Sequence, residues 1–174
     1  MRGLKIVVGA LAAVTVVGGS GAAPSAHASN YGVELNGTYR MMSDGEWAKT
    51  NEVFIDETTV VETWTLSSSC VSPIECEGQV TSDHGWTARL WFGYPNDYWV
   101  IDRIIPNWEP CPDGTFAPGE QRFQFYGFEP ALGTRDMKIV DLLVGRQRTS
   151  SPSGACGRNQ PLVIEMPVRL DKLS

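Results

Sequence analysis

The chain predicts an all-β fold, an antiparallel sandwich or a lipocalin-like barrel with at most one short helix. Three observations carry this. Apolar residues recur with a period of two, turn-forming clusters interrupt them at regular intervals, and four cysteines follow an export leader. The clearest strand is the last. Leu162, Ile164, Met166, Val168 and Leu170 alternate with Val163, Glu165, Pro167, Arg169 and Asp171, which gives one apolar and one mostly polar face. Pro167 has no N–H to offer a ladder, so an edge or a bulge is expected there.

The first element is the leader. Arg2 and Lys5 precede an apolar run from Ile6 to Val17, and Ala26-His27-Ala28 is a small-x-small cleavage signal. Residues 1–28 therefore read as a signal peptide and 29–174 as one secreted β domain. A membrane anchor needs about 20 apolar residues, and Gly18, Gly19, Ser20 and Gly21 end this run early. No cysteine near the junction invites a lipid, and Arg2-Gly3 is not a twin-arginine signal. Cleavage leaves 146 residues, enough for one core, and takes the net charge from −6 to −8. That balance argues against nucleic acid and anionic membranes as partners. No later stretch is long enough to span a bilayer, so no stable membrane insertion is expected after cleavage.

The remaining elements follow in order. Thr38 to Met42 is a short strand. Val60, Trp64 and Leu66 mark an apolar strand face that Glu62 interrupts. Gly78 to Ser82 is a weaker run, and Trp86, Ala88, Leu90 and Phe92 form a clear face. Tyr98 to Ile105 is apolar on both sides, which suits a central strand covered on each face. Phe123 and Phe125 mark one more. Turn signals lie between them at Ser43-Asp44-Gly45, Ser82-Asp83-His84-Gly85, Tyr94-Pro95-Asn96-Asp97 and Cys111-Pro112-Asp113-Gly114. Asn36-Gly37-Thr38 fits a glycosylation pattern but reads as an ordinary turn. The one helix candidate is Thr134 to Val144, with Thr134 as N-cap, helical spacing of Met137, Ile139, Val140 and Leu143, and Gly145 as stop. A strand over Lys138 to Val144 competes with it. Ser43-Asp44-Gly45-Glu46-Trp47-Ala48 is echoed 39 residues later by Ser82-Asp83-His84-Gly85-Trp86-Thr87-Ala88, a reused turn rather than a repeat array.

The cysteines are Cys70, Cys76, Cys111 and Cys156. In an exported chain they read as two disulfides, for which three connectivities exist. The expected pairs are Cys70–Cys76, pinning a hairpin around Ser72-Pro73, and Cys111–Cys156, joining two loops of similar chemistry. No C-x-x-C is present and no histidine adjoins a cysteine, so no metal and no cofactor are expected.

Three segments together carry a resemblance. They are Asn36-Gly37-Thr38-Tyr39-Arg40 with Ser43-Asp44-Gly45-Glu46-Trp47-Ala48; Pro106-Asn107-Trp108-Glu109-Pro110-Cys111-Pro112-Asp113-Gly114-Thr115; and Pro152-Ser153-Gly154-Ala155-Cys156-Gly157. The chain resembles a family of small secreted mycobacterial proteins of unknown function, a domain similar to the extracellular part of some mycobacterial serine/threonine kinases. The resemblance implies an extracellular location, a disulfide-bonded domain and a ligand-sensing role. It carries over no catalytic residue.

Candidate functional residues are few. His84 beside Asp83 has the composition of a general base, but neighbours in a tight turn point apart and no G-x-S-x-G elbow exists. Glu62 sits on an apolar strand face, and Asp102 or Arg103 must face inward. A buried carboxylate needs a partner, so Glu62 against Arg103 is the expected ion pair. Of the tryptophans, Trp64 and Trp86 read as core. Trp91, beside Arg89, and Trp108, in a proline-flanked loop, read as ligand-stacking or lid residues. The candidate ligand-binding set is therefore Glu62, Arg103, Trp91 and Trp108, with no catalytic residue assigned. The expected function is a non-enzymatic extracellular binding module for a small ligand, lipid or glycan, or for a protein partner. The alternatives are a secreted hydrolase using paired carboxylates, and a surface or antigenic interaction protein with an exposed apolar patch around Trp91 or Trp108.

Overall fold

Strands with one apolar face bury all of those faces at once, and leave no edge, when they close on themselves. That is the solution this chain adopts. The computed structural model describes residues 30–93 and 97–174. The signal-peptide expectation on 1–28 and the first three residues of the turn expected at Tyr94-Pro95-Asn96-Asp97 lie outside the described residues. In chain order the strands are β1 (Gly37–Ser43), β2 (Lys49–Thr50), β3 (Val53–Phe54), β4 (Val60–Ser72), β5 (Glu75–Ser82), β6 (Thr87–Gly93), β7 (Trp99–Pro110), β8 (Phe116–Glu129), β9 (Thr134–Arg135), β10 (Leu142–Ser150) and β11 (Val163–Lys172). Eight of them, β1-β4-β5-β6-β7-β8-β10-β11, form an antiparallel barrel that the β1–β11 pairing closes. Of the two architectures expected, the barrel is the one formed. Both disulfides, Cys70–Cys76 and Cys111–Cys156, are the expected pairs.

Strand register divides the barrel interior in two. One half is apolar, built from Tyr39, Trp64, Leu66, Val80, Leu90, Phe92, Trp99, Ile101, Phe125, Leu143 and Leu170, all buried. Val33 and Leu35 of the N-terminal segment pack into it, and Ser68 Oγ accepts from the Leu35 N–H at 2.8 Å. Burying each large side chain contributes about 1.5–3 kcal/mol. Toward the other end, the inward positions turn polar: Ser43, Glu62, Gln121, Gln147 and Thr149 are buried there. Gly145 sits at the tightest strand approach. A Cβ there would lie 1.9 Å from the Gln124 carbonyl oxygen and 2.6 Å from the Phe125 Cα, so no side chain fits.

Three sequence expectations need correction. Thr134 to Val144 forms no helix. Thr134–Arg135 pairs with β8, the Asp136 carboxylate caps the Lys138 N–H at 2.8 Å, and the Tyr39 hydroxyl takes the Val140 carbonyl at 2.8 Å. These contacts use the backbone groups a helix would need. Of the edge or bulge expected at Pro167, the edge is not found, because β11 has neighbours on both sides. The proline sits between the stretch paired with β1 and the stretch paired with β2, and its carbonyl accepts from the Asp44 N–H at 3.0 Å. Tyr98 to Ile105 is not covered on both faces throughout. Trp99, Val100 and Ile101 are buried in a row, but Ile104 lies in solvent on the outer face.

Candidate functional site

The polar end of the barrel opens into a cavity of about 250 Å³. Its wall follows from register. Arg103 on β7 lies opposite Gln121 on β8, Gln121 opposite Thr149 on β10, and Thr149 opposite Ile164 on β11. Period-two alternation turns all four inward. They form a hydrogen-bonded belt: Arg103 Nε donates to Gln121 Oε1, and Gln121 Nε2 donates to Thr149 Oγ1 at 3.2 Å. One layer deeper, Ser43 Oγ donates to Gln147 Oε1 at 2.8 Å. Trp108, Val60, Ile105, Phe123 and Met166 supply the apolar lining, and Glu57 and Glu62 its carboxylates. Trp108 is held over Gly119, where an added Cβ would lie 2.7 Å from the indole Cγ. The irregular stretch of β7 that carries it contains Asn107 at φ 53°.

Glu62 is the most heavily bonded group at this end. Its Oε2 accepts from Trp64 Nε1 at 2.7 Å, Ser82 Oγ at 2.6 Å and Trp86 Nε1 at 3.1 Å. Its Oε1 lies 3.4 Å from His84 Nδ1. Trp64 stands edge-on to Trp86 and to Phe123, with ring centroids 5.4 and 5.0 Å away. The β5–β6 turn places His84 and Trp86, and Asp83 fixes that turn by accepting from the Thr63 N–H at 3.0 Å. This bond holds the Asp83 carboxyl below the usual carboxylate range.

The expected Glu62–Arg103 contact does not form. Glu62 Oε2 takes two indoles and a hydroxyl, with His84 beside Oε1, while Arg103 turns to Gln121 and lays its guanidinium on the Trp86 ring, 4.0 Å from the centroid. Burial pushes the Arg103 pKa down, and the field of Glu62 offsets part of that. Asp102 faces out and pairs with Arg122, Nε to Oδ1 at 2.6 Å.

The structure brings Glu62, Arg103 and Trp108 to one cavity and leaves Trp91 outside it. Trp91 lies on the outer wall, 5.8 Å from the Arg89 guanidinium. Sequence reasoning missed Ser82, Gln121, Gln147 and Thr149, and it weighed His84 only as a general base with Asp83, not as a neighbour of Glu62. Exposed apolar side chains also gather at the β2–β3 hairpin and the turn before it, where Trp47 and Phe54 are each 63% exposed and pack edge to face at 6.5 Å. A larger groove of about 420 Å³ runs over the outer face of β7 and β8, but the Asp102–Arg122 ion pair occupies its floor.

No family model matches the chain, and no curated protein does. Among solved structures it is similar to the monomer form of the M. tuberculosis PknI sensor domain. The TM-score is 0.56 at 18% sequence identity, covering 81% of this chain and 88% of that one. The two share a fold. The resemblance to the extracellular part of mycobacterial kinases is thus met at the level of architecture.

Proposed function

We propose that this protein is a non-enzymatic extracellular binding module that takes a small ligand into the open end of its barrel. The observation that carries the reading is the cavity itself. An apolar wall, one indole and a few polar groups converge on about 250 Å³ at the end of an otherwise packed barrel, which is the general anatomy of a ligand site. The similarity to a sensor domain supports it. Two disulfides support an oxidising compartment, consistent with export under the 1–28 leader. Glu62, Arg103 and Trp108 are the proposed contact residues. The hydrolase alternative would use Glu57 and Glu62, which line the same cavity, but Glu62 is committed as an acceptor to its own shell of donors.

Trp64, Trp86 and Trp108 surround or line the cavity, so occupancy should change tryptophan emission. A ligand at a hundred times its Kd should add about 2.7 kcal/mol of stability, or roughly 5–10 °C in Tm. A panel of lipids, fatty acids and glycans read by both signals tests the proposal. A panel that moves neither emission nor Tm refutes it.

A further inference from the structure

Among the charged groups of the cavity wall, Arg103 is set apart by what it lacks. Glu62 has three donors on its Oε2, and His84 Nδ1 lies 3.4 Å from its Oε1. Glu57 stands half-buried at the mouth and accepts from Thr50 Oγ1 at 3.4 Å. Arg103 uses its Nε on Gln121 and one face of its guanidinium on Trp86. Among the described residues, neither of its terminal nitrogens meets an acceptor. Burial lowers its pKa, the sign of a cation that water solvates poorly.

A guanidinium is a planar fork of donors that matches a carboxylate, and a charge-assisted pair is about twice as strong as a neutral hydrogen bond. The stacking on Trp86 and the Gln121 bond fix the plane of the fork in advance, which lowers the ordering cost of binding. Two carboxylates on the same wall, Glu57 and Glu62, repel an anion in proportion to its charge, so they oppose a dianion about twice as strongly as a monoanion. The cavity is also small beside the roughly 300–1,000 Å³ of drug-sized ligand sites. Beyond Arg103 the wall is apolar at Ile105, Trp108, Ile164 and Met166.

We infer that the cavity takes a small apolar monocarboxylate, its carboxylate held by the terminal nitrogens of Arg103 and its apolar body lying against Trp108, Ile105, Ile164 and Met166. This rests on the binding-module reading and names its ligand class.

The test compares three probes of one length: hexanoate, hexanamide and hexylamine. Each is titrated into the full domain with tryptophan emission and Tm as readouts. Hexanoate should bind about tenfold or more tightly than hexanamide, with hexylamine weakest. Arg103→Gln should abolish the preference for hexanoate while leaving hexanamide binding in place. Arg103→Lys, which keeps the charge and the aliphatic stem but not the fork, should retain part of the preference, and it serves if the glutamine variant fails to fold. Equal or tighter binding of hexanamide or hexylamine overturns the inference, as does a full hexanoate preference in Arg103→Gln. Silence from all three probes also overturns it. The binding-module reading falls only if the wider lipid and glycan panel is silent too.

Discussion

Replacing Glu62 by alanine is the sharpest test of how the open end of the barrel is held together. The substitution removes the acceptor shared by Trp64 Nε1, Ser82 Oγ and Trp86 Nε1. Trp64 and Ser82 are buried, so their donors cannot reach water, whereas Trp86 is half-buried and can turn toward it. Each stranded buried donor costs about 1–3 kcal/mol, so two cost about 2–6 kcal/mol. At about 2–4 °C per kcal/mol for a domain of this size, Glu62→Ala should melt roughly 5–20 °C below the parent. Glu62→Gln keeps one acceptor oxygen and should lose about 1–2 kcal/mol. The cost belongs to the orphaned donors rather than to a lost charge. Removing a donor along with the acceptor, as in Glu62→Leu with Ser82→Ala, should therefore recover part of it. Thermal melts by near-ultraviolet circular dichroism, backed by urea titration, read all three variants. If Glu62→Ala melts within 2 °C of the parent, the donor shell does not hold this end and the reasoning fails.

The two disulfides should differ in weight, because they close loops of 6 and 45 residues. Loop-closure entropy gives about 2 kcal/mol for Cys70–Cys76 and about 4 kcal/mol for Cys111–Cys156, so paired Cys→Ala variants should rank in that order in urea. Tyr39 is fully buried, and burial, with Asp141 nearby, raises its pKa from 10.0 to about 12. Unfolded tyrosine ionises near 10 and the folded one later, so its contribution is intact below pH 10 and lost as pH climbs through 12. The loss is about 2–3 kcal/mol. Tyr39→Phe should show a correspondingly flatter decline in Tm over that window, and an unchanged slope would count against the assignment. Gly145→Ala drives a Cβ into backbone atoms of Gln124 and Phe125. It should cost about 3 kcal/mol or more, seen as loss of soluble, melting-competent protein.

Most of the barrel was legible because a strand with one buried face must alternate, and alternation survives in any single sequence. Met166, Val168 and Leu170, and Phe123 and Phe125, were readable for that reason, and all are buried. What did not show was each strand's set of neighbours. Pro167 reads as an edge only if the sheet has one. Once β11 is flanked by β1 and then β2, its missing N–H falls in the gap between the two partners. The helix expected over Thr134 to Val144 failed for a related reason. Its periodicity was genuine, but Tyr39, Gly127 and Lys172 each take a backbone group of that segment, and Tyr39 and Lys172 lie far from it in sequence.

The site was half legible, and the missing half followed the same alternation carried further. Counting back by two from Phe125 and Phe123 reaches Gln121, and counting forward from Ile101 reaches Arg103. From Leu143 the same step reaches Gly145, Gln147 and Thr149. Reading stopped where the inward residues ceased to be apolar. In a filled core that is sound, since a polar inward residue argues against the strand. In a barrel with an open end the inference reverses: the point where an unbroken strand changes from apolar to polar on its inner face marks where the core stops and the cavity starts. Glu62 and Arg103 are the inward charged residues that stood out, Glu62 because it lies between Val60 and Trp64 and Arg103 because its strand reads as apolar on both faces. The expected partner was wrong because hydrogen-bond donors on Trp64, Ser82 and Trp86 satisfy a buried carboxylate as well as a cation does, and that leaves Arg103 uncommitted beside the cavity.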